Sequence, residues 1–282
     1  MNGPYQKRTP GFFTVLALSL TLTLLSGGTN MSAAADLKDL EGAYNQVVPK
    51  LKAASKSNFN WDWLAPLNNL ENRYLQEGNY QAAEPLARER LRILTLAFGQ
   101  DGNSASAMTG LAEILLNLNK LEEAEKLFQT ALSINKQESH VWGQKAPNFG
   151  YQHVSRQLTG LGHIRLKQGQ AQEAELYLRE NYDLAVREEK ERTRAIFTPQ
   201  ASLELGKCLQ EIGKTTEAMA LYEKVATLPV NAHSQSAKAA VLRDYAALLK
   251  KSGQAGQASR LLEEAKKLED SHKAMNRSQL DY

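Results

Sequence analysis

The stretch that decides the fold is Asn119-Lys120-Leu121-Glu122-Glu123-Ala124-Glu125, because it joins two helical patterns and has four counterparts in the chain. Each counterpart has a turn residue that tolerates a left-handed backbone, and an alanine follows five positions later. The turn residues are Gly78, Asn119, Gly169, Gly213 and Gly253, and the alanines are Ala83, Ala124, Ala174, Ala218 and Ala258. The turns lie 41, 50, 44 and 40 residues apart, which indicates an internal repeat in five copies.

Each copy has the pattern of a helix hairpin. In the fourth copy, Leu205 and Leu209 share one face of a first helix, and Leu221 and Val225 share one face of a second. A single hairpin cannot bury such faces alone, so the copies are expected to stack in a row. The sequence therefore predicts an all-α solenoid of about five helix hairpins. The predicted repeats span residues 64–97, 105–138, 155–188, 199–232 and 239–272.

These motifs resemble the tetratricopeptide repeat, and a spacing of 40 or more resembles its longer, kinesin-light-chain-type subclass. The second copy carries the family positions at Leu111, Ala112, Leu115, Ala124, Phe128 and Ala131. The resemblance implies a right-handed superhelix whose first helices line a concave, protein-binding face. Three residues depart from the family's small-residue positions, namely Glu71 and Arg90 in the first repeat and Asn181 in the third.

Residues 1–35 have the pattern of an export signal. Lys7 and Arg8 precede an apolar run from Phe12 to Leu25, and alanines at 33–35 supply a cleavage motif. We expect a secreted or periplasmic protein with no membrane span in the mature chain. The alternative is an uncleaved signal that tethers the protein to a membrane. The single cysteine, Cys208, excludes an intrachain disulfide, so stability must come from packing.

The segments that flank the repeats are shorter. Residues 36–63 combine an amphipathic helix with Phe59, Trp61 and Trp63, and we expect them to cover the apolar end of the first repeat. An alternative is that the tryptophans form a ligand platform. Residues 273–282 are interpreted as a C-terminal tail.

Counting back from each turn residue gives the positions that the resemblance places in the concave groove. The candidate binding residues are Asn68, Asn72, Arg156, His163, Lys167, Lys207 and Arg243. Because the groove turns basic toward its C-terminal half, we expect a protein partner with an acidic segment or a free carboxylate. The alternative is that these are solvated charges on polar helix faces.

The longest interval between repeats, residues 139–154, contains aromatic side chains. Trp142, Phe149 and Tyr151 make it a candidate contact loop, and the alternative is that it is tucked onto the array. Substitution of Trp142 by alanine should separate loss of binding from loss of stability.

The composition excludes several function classes. A net charge of +3, two units of which come from the first eight residues, gives no support for nucleic-acid binding. No Gly-rich phosphate loop or Gly-x-Ser-x-Gly elbow is present, and the five histidines lack metal-ligand spacing. We therefore predict a non-enzymatic scaffold without metal or cofactor. The alternatives are a self-associating envelope protein and an enzyme whose site joins the insert and the groove around His153 and His163.

Overall fold

A computed structural model describes residues 31–142, 147–192, 198–229 and 234–280 of the chain. Within these ranges every regular element is helical and no strand occurs. The helices are α1 (Met31–Lys52), α2 (Leu64–Gln76), α3 (Tyr80–Phe98), α4 (Gly102–Asn117), α5 (Leu121–Trp142), α6 (Pro147–Lys167), α7 (Ala171–Arg192), α8 (Thr198–Glu211), α9 (Thr215–Thr227), α10 (Gln235–Lys251) and α11 (Ala255–Leu280). A single 3₁₀ turn, Trp61–Trp63, precedes α2.

The five turn residues end the first helix of each hairpin as predicted. Their φ angles are 70°, 59°, 74°, 81° and 82° in chain order, which is the left-handed region. After each one, the next backbone N–H donates to a carbonyl five residues back, as in the 2.8 Å bond from Lys120 to Leu115. This bond satisfies a carbonyl that a helix end otherwise leaves without a partner. Glycine, or Asn119, is therefore a requirement of the backbone at these positions.

Small residues set the distance between the two helices of a hairpin. All five alanines after the turns are fully buried. On the first helix of the fourth hairpin, a Cβ at Gly206 would lie 2.2 Å from the Tyr222 ring, so only glycine leaves room for that ring. Each hairpin then packs mainly on its neighbours in sequence. The predicted all-α solenoid of helix hairpins is confirmed.

The residues that depart from the family pattern each contact another side chain in the structure. Glu71, which is 2% exposed, forms an ion pair with Arg90 at 2.9 Å, so the two unusual residues of repeat one neutralise each other. Burial raises the pKa of Glu71, and the positive charge of Arg90 opposes that rise. The guanidinium of Arg90 also occupies the space where a Cβ of Gly110 would point. In repeat three, Asn181 donates to the Thr159 hydroxyl at 3.0 Å.

The layer of first helices is the inner one. α4 lies against α6 and α8 lies against α10, whereas no pair of second helices in the described ranges makes comparable contact. An open cleft of about 470 Å³ lies between the second helices α5 and α7. A 2.7 Å ion pair between Lys136 and Glu180 crosses it. The solenoid therefore curves with its first helices on the concave side.

The two ends of the array are covered in different ways. At the N-terminal end, α1 packs on α2, and the half-buried Trp63 joins a core that includes Leu51 and Leu67. At the C-terminal end, α11 buries Ala258 and Ala265 but carries a polar outer surface. Arg260, Glu263 and Lys266 are exposed there. The last repeat is thus its own cap.

No helix in the described part of the chain combines the length and apolarity needed to cross a membrane.

Candidate partner-binding groove

The seven candidate groove residues all lie on first helices, which form the inner layer. α2 carries Asn68 and Asn72, α6 carries Arg156, His163 and Lys167, α8 carries Lys207, and α10 carries Arg243. Residues three or four apart on a helix share a face. The inner layer therefore gathers residues from four repeats into one surface.

Arg156 is held by a carboxylate of the preceding repeat. Its Nε donates to Glu113 Oε1 at 2.7 Å, and its Nη2 makes a second contact with Glu113 Oε2. This bidentate geometry is the strong form of an arginine–carboxylate pair. The pair links α4 to α6 across the groove, so most of the charge of Arg156 is already neutralised.

His163 is paired in the same way with the following repeat. Its Nε2 lies 2.9 Å from Glu204 Oε2, and Gln200 donates to the other carboxylate oxygen at 2.8 Å. Burial acts to raise the pKa of Glu204, but the His163 hydrogen bond and the charge of Lys207 outweigh it, so the pKa is lowered. Glu204 therefore stays ionised in the groove at neutral pH.

Arg243 is also occupied. Its Nε and Nη2 each donate to Glu269 at 2.6 Å, which ties α10 to α11 within the last hairpin. Of the basic groove residues, Arg243 is therefore the one whose partner lies on a second helix.

Lys167 and Lys207 differ from the other basic residues because both are exposed. Neither forms an ion pair with any residue that the structure describes. Lys207 acts electrostatically on Asp244 of α10, a half-buried carboxylate whose pKa is raised by burial, with Glu204 adding to the rise and Lys207 opposing it. The ammonium groups of these two lysines, one repeat apart, remain available to a partner.

The groove candidates on α2 are uncharged amides. Asn72 is exposed, and Asn68 is half-buried with an Oδ1 that accepts no hydrogen bond from the described residues. A side-chain amide can both donate to and accept from a peptide backbone. The exposed amide of Asn72 can therefore bind a peptide backbone without selecting its charge.

The two histidines of the enzyme alternative do not converge. His153 and His163 lie ten residues apart on α6, which separates them by about 15 Å along the helix axis. Burial, with help from Arg156, lowers the pKa of His153 to about 4, so its imidazole is neutral at physiological pH. Among the described residues, no cluster of three or more His, Cys, Asp or Glu could hold a metal ion.

The candidate contact loop is only partly described. Tyr151 is 6% exposed and packs against Ala185 and Ala201, which is the tucked arrangement. Trp142 is the last residue of α5 and Phe149 lies in the first turn of α6, but their side chains are outside the described residues. Cys208 is fully buried, and burial raises the pKa of its thiol to about 11.

The sequence analysis did not predict a recurring set of ion pairs between neighbouring second helices, which we call the junction clamp. A glutamate and an arginine four residues apart on one second helix meet a lysine and a glutamate at the next turn. Between α3 and α5, Lys120 binds Glu84 at 2.7 Å and Arg88 binds Glu123 at 2.6 Å. The clamp recurs one repeat pair later.

The second junction clamp joins α7 to α9. Lys214 binds Glu175 at 2.7 Å, and Arg179 binds Glu217 at 2.7 Å. The matching signal in the sequence is Glu-x-x-x-Arg on one second helix followed by Lys-x-x-Glu after the next turn. Neither half is informative alone, because lone charge pairs are common on helix surfaces.

Comparisons with known proteins agree with this architecture. Family models described as tetratricopeptide repeat match residues 74–146 and 199–229. BtubC (BKLC) from P. vanneervenii is 18% identical with a TM-score of 0.59, and the alignment covers 87% of this chain and 90% of that one. A putative kinesin light chain of Podosopora anserina with nearly identical TPR-like repeats is 21% identical, TM-score 0.55, covering 74% and 95%. No curated protein matches the sequence.

Proposed function

This chain is a tetratricopeptide-repeat protein, and from that premise we propose that it is a non-enzymatic scaffold that holds an extended protein segment along its first helices. The repeat fold supports a protein-interaction scaffold because each added hairpin lengthens one continuous surface. The partner segment is acidic where it crosses the C-terminal half of the groove.

The exposure of Lys167 and Lys207 supports this proposal. Arg156, His163 and Arg243 already face carboxylates of this chain, whereas the two lysines do not. A carboxylate bound by them forms new charge-assisted hydrogen bonds without breaking an existing pair. The acidic specificity thus rests on two residues rather than on the whole basic set.

The exposed amide of Asn72 on α2 holds the other end of the same segment. Asn72 is exposed and is the amide that can reach a partner, whereas the Oδ1 of Asn68 is buried. Hydrogen bonds to a peptide backbone give affinity without selecting side chains. The bound segment therefore has an uncharged half and an acidic half.

We extend the proposal to the place where the protein acts, namely outside the cytoplasm. The basic start, the apolar run and the three alanines of residues 1–35 support export. Mass spectrometry of the N-terminus of protein from separated cell fractions tests this step. A mature chain that begins near residue 36 is expected, and an intact Met1 in the cytoplasmic fraction would contradict it.

The groove is tested with a defined probe, a fluorescein-labelled peptide of alternating glutamate and glycine. Reversing both lysines, Lys167→Glu with Lys207→Glu, should weaken binding at least about tenfold at low salt. Lys267→Glu is the matched control, because Lys267 is 74% exposed on α11, away from the first helices. Fluorescence anisotropy gives the dissociation constants.

Two outcomes decide the proposal. Affinity that falls with salt in the parent protein, and falls less in the double variant, agrees with a direct role of the lysines. If the double variant and the control bind the peptide equally well, the acidic groove is refuted.

A further inference from the structure

Three aromatic rings, Phe59, Trp61 and Phe98, form a cluster at the start of the first hairpin, and we call it the aromatic platform; Phe59 is half-buried and the other two rings are exposed. Trp61 is 53% exposed and Phe98 is 38% exposed. The two rings are stacked with centroids 5.3 Å apart, and Phe59 meets each of them edge-on at 5.0 Å. Contiguous exposed aromatic surface can serve as a protein contact site, since aromatic side chains are enriched among binding hot spots.

Hydrogen bonds hold the loop that presents the platform. Asn58 accepts from the Ser55 backbone N–H at 2.6 Å and donates to the Ala53 carbonyl at 3.1 Å. Asn60 then caps the 3₁₀ turn by accepting from the Asp62 N–H at 2.9 Å. The rings are therefore fixed before any ligand arrives, which lowers the entropy cost of binding.

Trp61 of the platform is not needed to cover the end of the solenoid. Trp63, the other tryptophan of the segment, packs into the core with Leu64 and Leu67. Phe98 is the last residue of α3 and lies beyond that helix's buried residues. Trp63 and Phe59 both pack against this core and cover it, whereas Trp61 is not part of it.

Topology places the platform on one edge of the molecule. The start of α2 and the end of α3 both lie at the open end of the hairpin, opposite the Gly78 turn. α1 runs antiparallel to α2, so Met31 lies at the other edge, about 33 Å from Lys52. The platform and the start of α1 therefore lie at opposite edges of the first hairpin.

The chemistry of the platform fits a polyproline segment. The clustered side chains carry no charge, and the indole N–H of Trp61 makes no hydrogen bond to the described residues. A polyproline II helix has apolar rings, carbonyl acceptors without internal partners and no N–H donors at proline. Stacking and one indole hydrogen bond together complement such a segment.

We propose that the aromatic platform of Phe59, Trp61 and Phe98 is a second docking surface, independent of the groove, for an uncharged proline-rich protein segment. The chain then joins two partners or two parts of one partner. Simultaneous engagement of two surfaces raises overall affinity through effective concentration.

The test uses decaproline, acetylated and amidated, titrated into the full exported chain labelled with ¹⁵N. The sequence has three tryptophans, so the indole N–H region is simple and the variant assigns the Trp61 signal. We expect that signal to shift with peptide, with an affinity that is unchanged between about 0.05 M and about 0.5 M NaCl. Trp61→Ala should abolish binding, and Trp61→Phe should weaken it about fivefold through loss of one hydrogen bond.

Matched controls separate this surface from others. Leu96→Ala removes an apolar side chain that is 44% exposed on α3 outside the cluster, and it should leave decaproline binding unchanged. Lys207→Glu should also have no effect, so failure of the groove proposal does not affect this one. Helical circular dichroism of Trp61→Ala tests whether the variant is folded, and a parent-like spectrum is expected.

Three results would overturn the proposal. The first is an unmoved Trp61 signal at saturating peptide. The second is a shift that persists in Trp61→Ala. The third is movement of the Trp61 signal on addition of phosphatidylcholine and phosphatidylglycerol vesicles but not of decaproline, which would assign the platform to lipid.

Discussion

Removing the carboxylate of Glu175 should weaken the packing of the third repeat on the fourth and lower the free energy of unfolding. Glu175 is 8% exposed and accepts hydrogen bonds from Lys214 at 2.7 and 2.8 Å and from Arg179 at 2.6 Å. Burial opposes ionisation of Glu175, but the two cations prevail and lower its pKa. Glu175→Gln keeps the shape of the side chain and removes the charge that both cations share.

The magnitude follows from how exposed the partners are. The side chains of Lys214 and Arg179 are 49% and 39% exposed, so water screens each pair and leaves about 0.5–1 kcal/mol apiece. Glu175→Gln should therefore lower the free energy of unfolding by about 1–2 kcal/mol. The coupling between Glu175 and Lys214 alone should be about 0.5–1 kcal/mol.

A double-mutant cycle measures that coupling. The parent, Glu175→Gln, Lys214→Gln and the double variant are unfolded in urea and followed by helical circular dichroism. Glu263 and Lys267 on α11 serve as the control pair, because their side chains are 69% and 74% exposed and should couple by only about 0.3 kcal/mol. In about 1 M NaCl, where the screening length is about 3 Å, both couplings should shrink.

A Glu175–Lys214 coupling no larger than that of the control pair would refute the reasoning. So would a coupling that high salt leaves unchanged, because the effect would then come from packing rather than from charge.

The remaining predictions concern packing, backbone conformation and pH. Gly206→Ala should lower the free energy of unfolding by about 1–3 kcal/mol, because the new Cβ would lie 2.2 Å from the Tyr222 ring. Gly256→Ala on α11 should raise the free energy of unfolding by about 0.5–1 kcal/mol, because its Cβ would have no neighbour within 4 Å. Urea denaturation measures both changes. Asn119→Gly should raise thermal stability slightly, since its φ is 59°, and a lower melting temperature would contradict this. Six carboxylates have lowered pKa values because of hydrogen bonds and nearby cations, so each stabilises the folded state above about pH 4.5, and this stabilisation is lost as the pH falls below that value. Acid titration followed by helical circular dichroism should therefore show unfolding below about pH 4.5. A protein that is more stable at pH 3 than at pH 6 would contradict this prediction. These six are Glu84, Glu123, Glu125, Glu175, Glu204 and Glu269.

The turns and the hairpin packing could be predicted because both are local. A left-handed turn requires glycine or asparagine, and close helix approach requires a small residue at a fixed distance from that turn. In the first repeat, Gly78 and Ala83 meet both requirements within six residues of sequence. Five repetitions then make the pattern unmistakable.

The covering role of the N-terminal aromatic residues was predicted only in part. Alternation along residues 59–63 cannot tell which ring faces the core, because a 3₁₀ turn rather than a strand or long helix places them. Trp63 is half-buried and covers the core, whereas Trp61 is exposed and belongs to the aromatic platform, so one segment contributes to both. The difference arises from contact with Phe98, which is 37 residues away.

By itself, the sequence determined that this chain is a row of helix hairpins, and its resemblance to the tetratricopeptide repeat implied a groove along the first helices. The tertiary structure decided which groove charges are available, since Arg156, His163 and Arg243 find carboxylates 43, 41 and 26 residues away. Helical periodicity fixes the face on which a side chain lies, because it depends only on neighbouring residues. The partner of that side chain depends on how one repeat is rotated against the next, and no single repeat encodes that rotation.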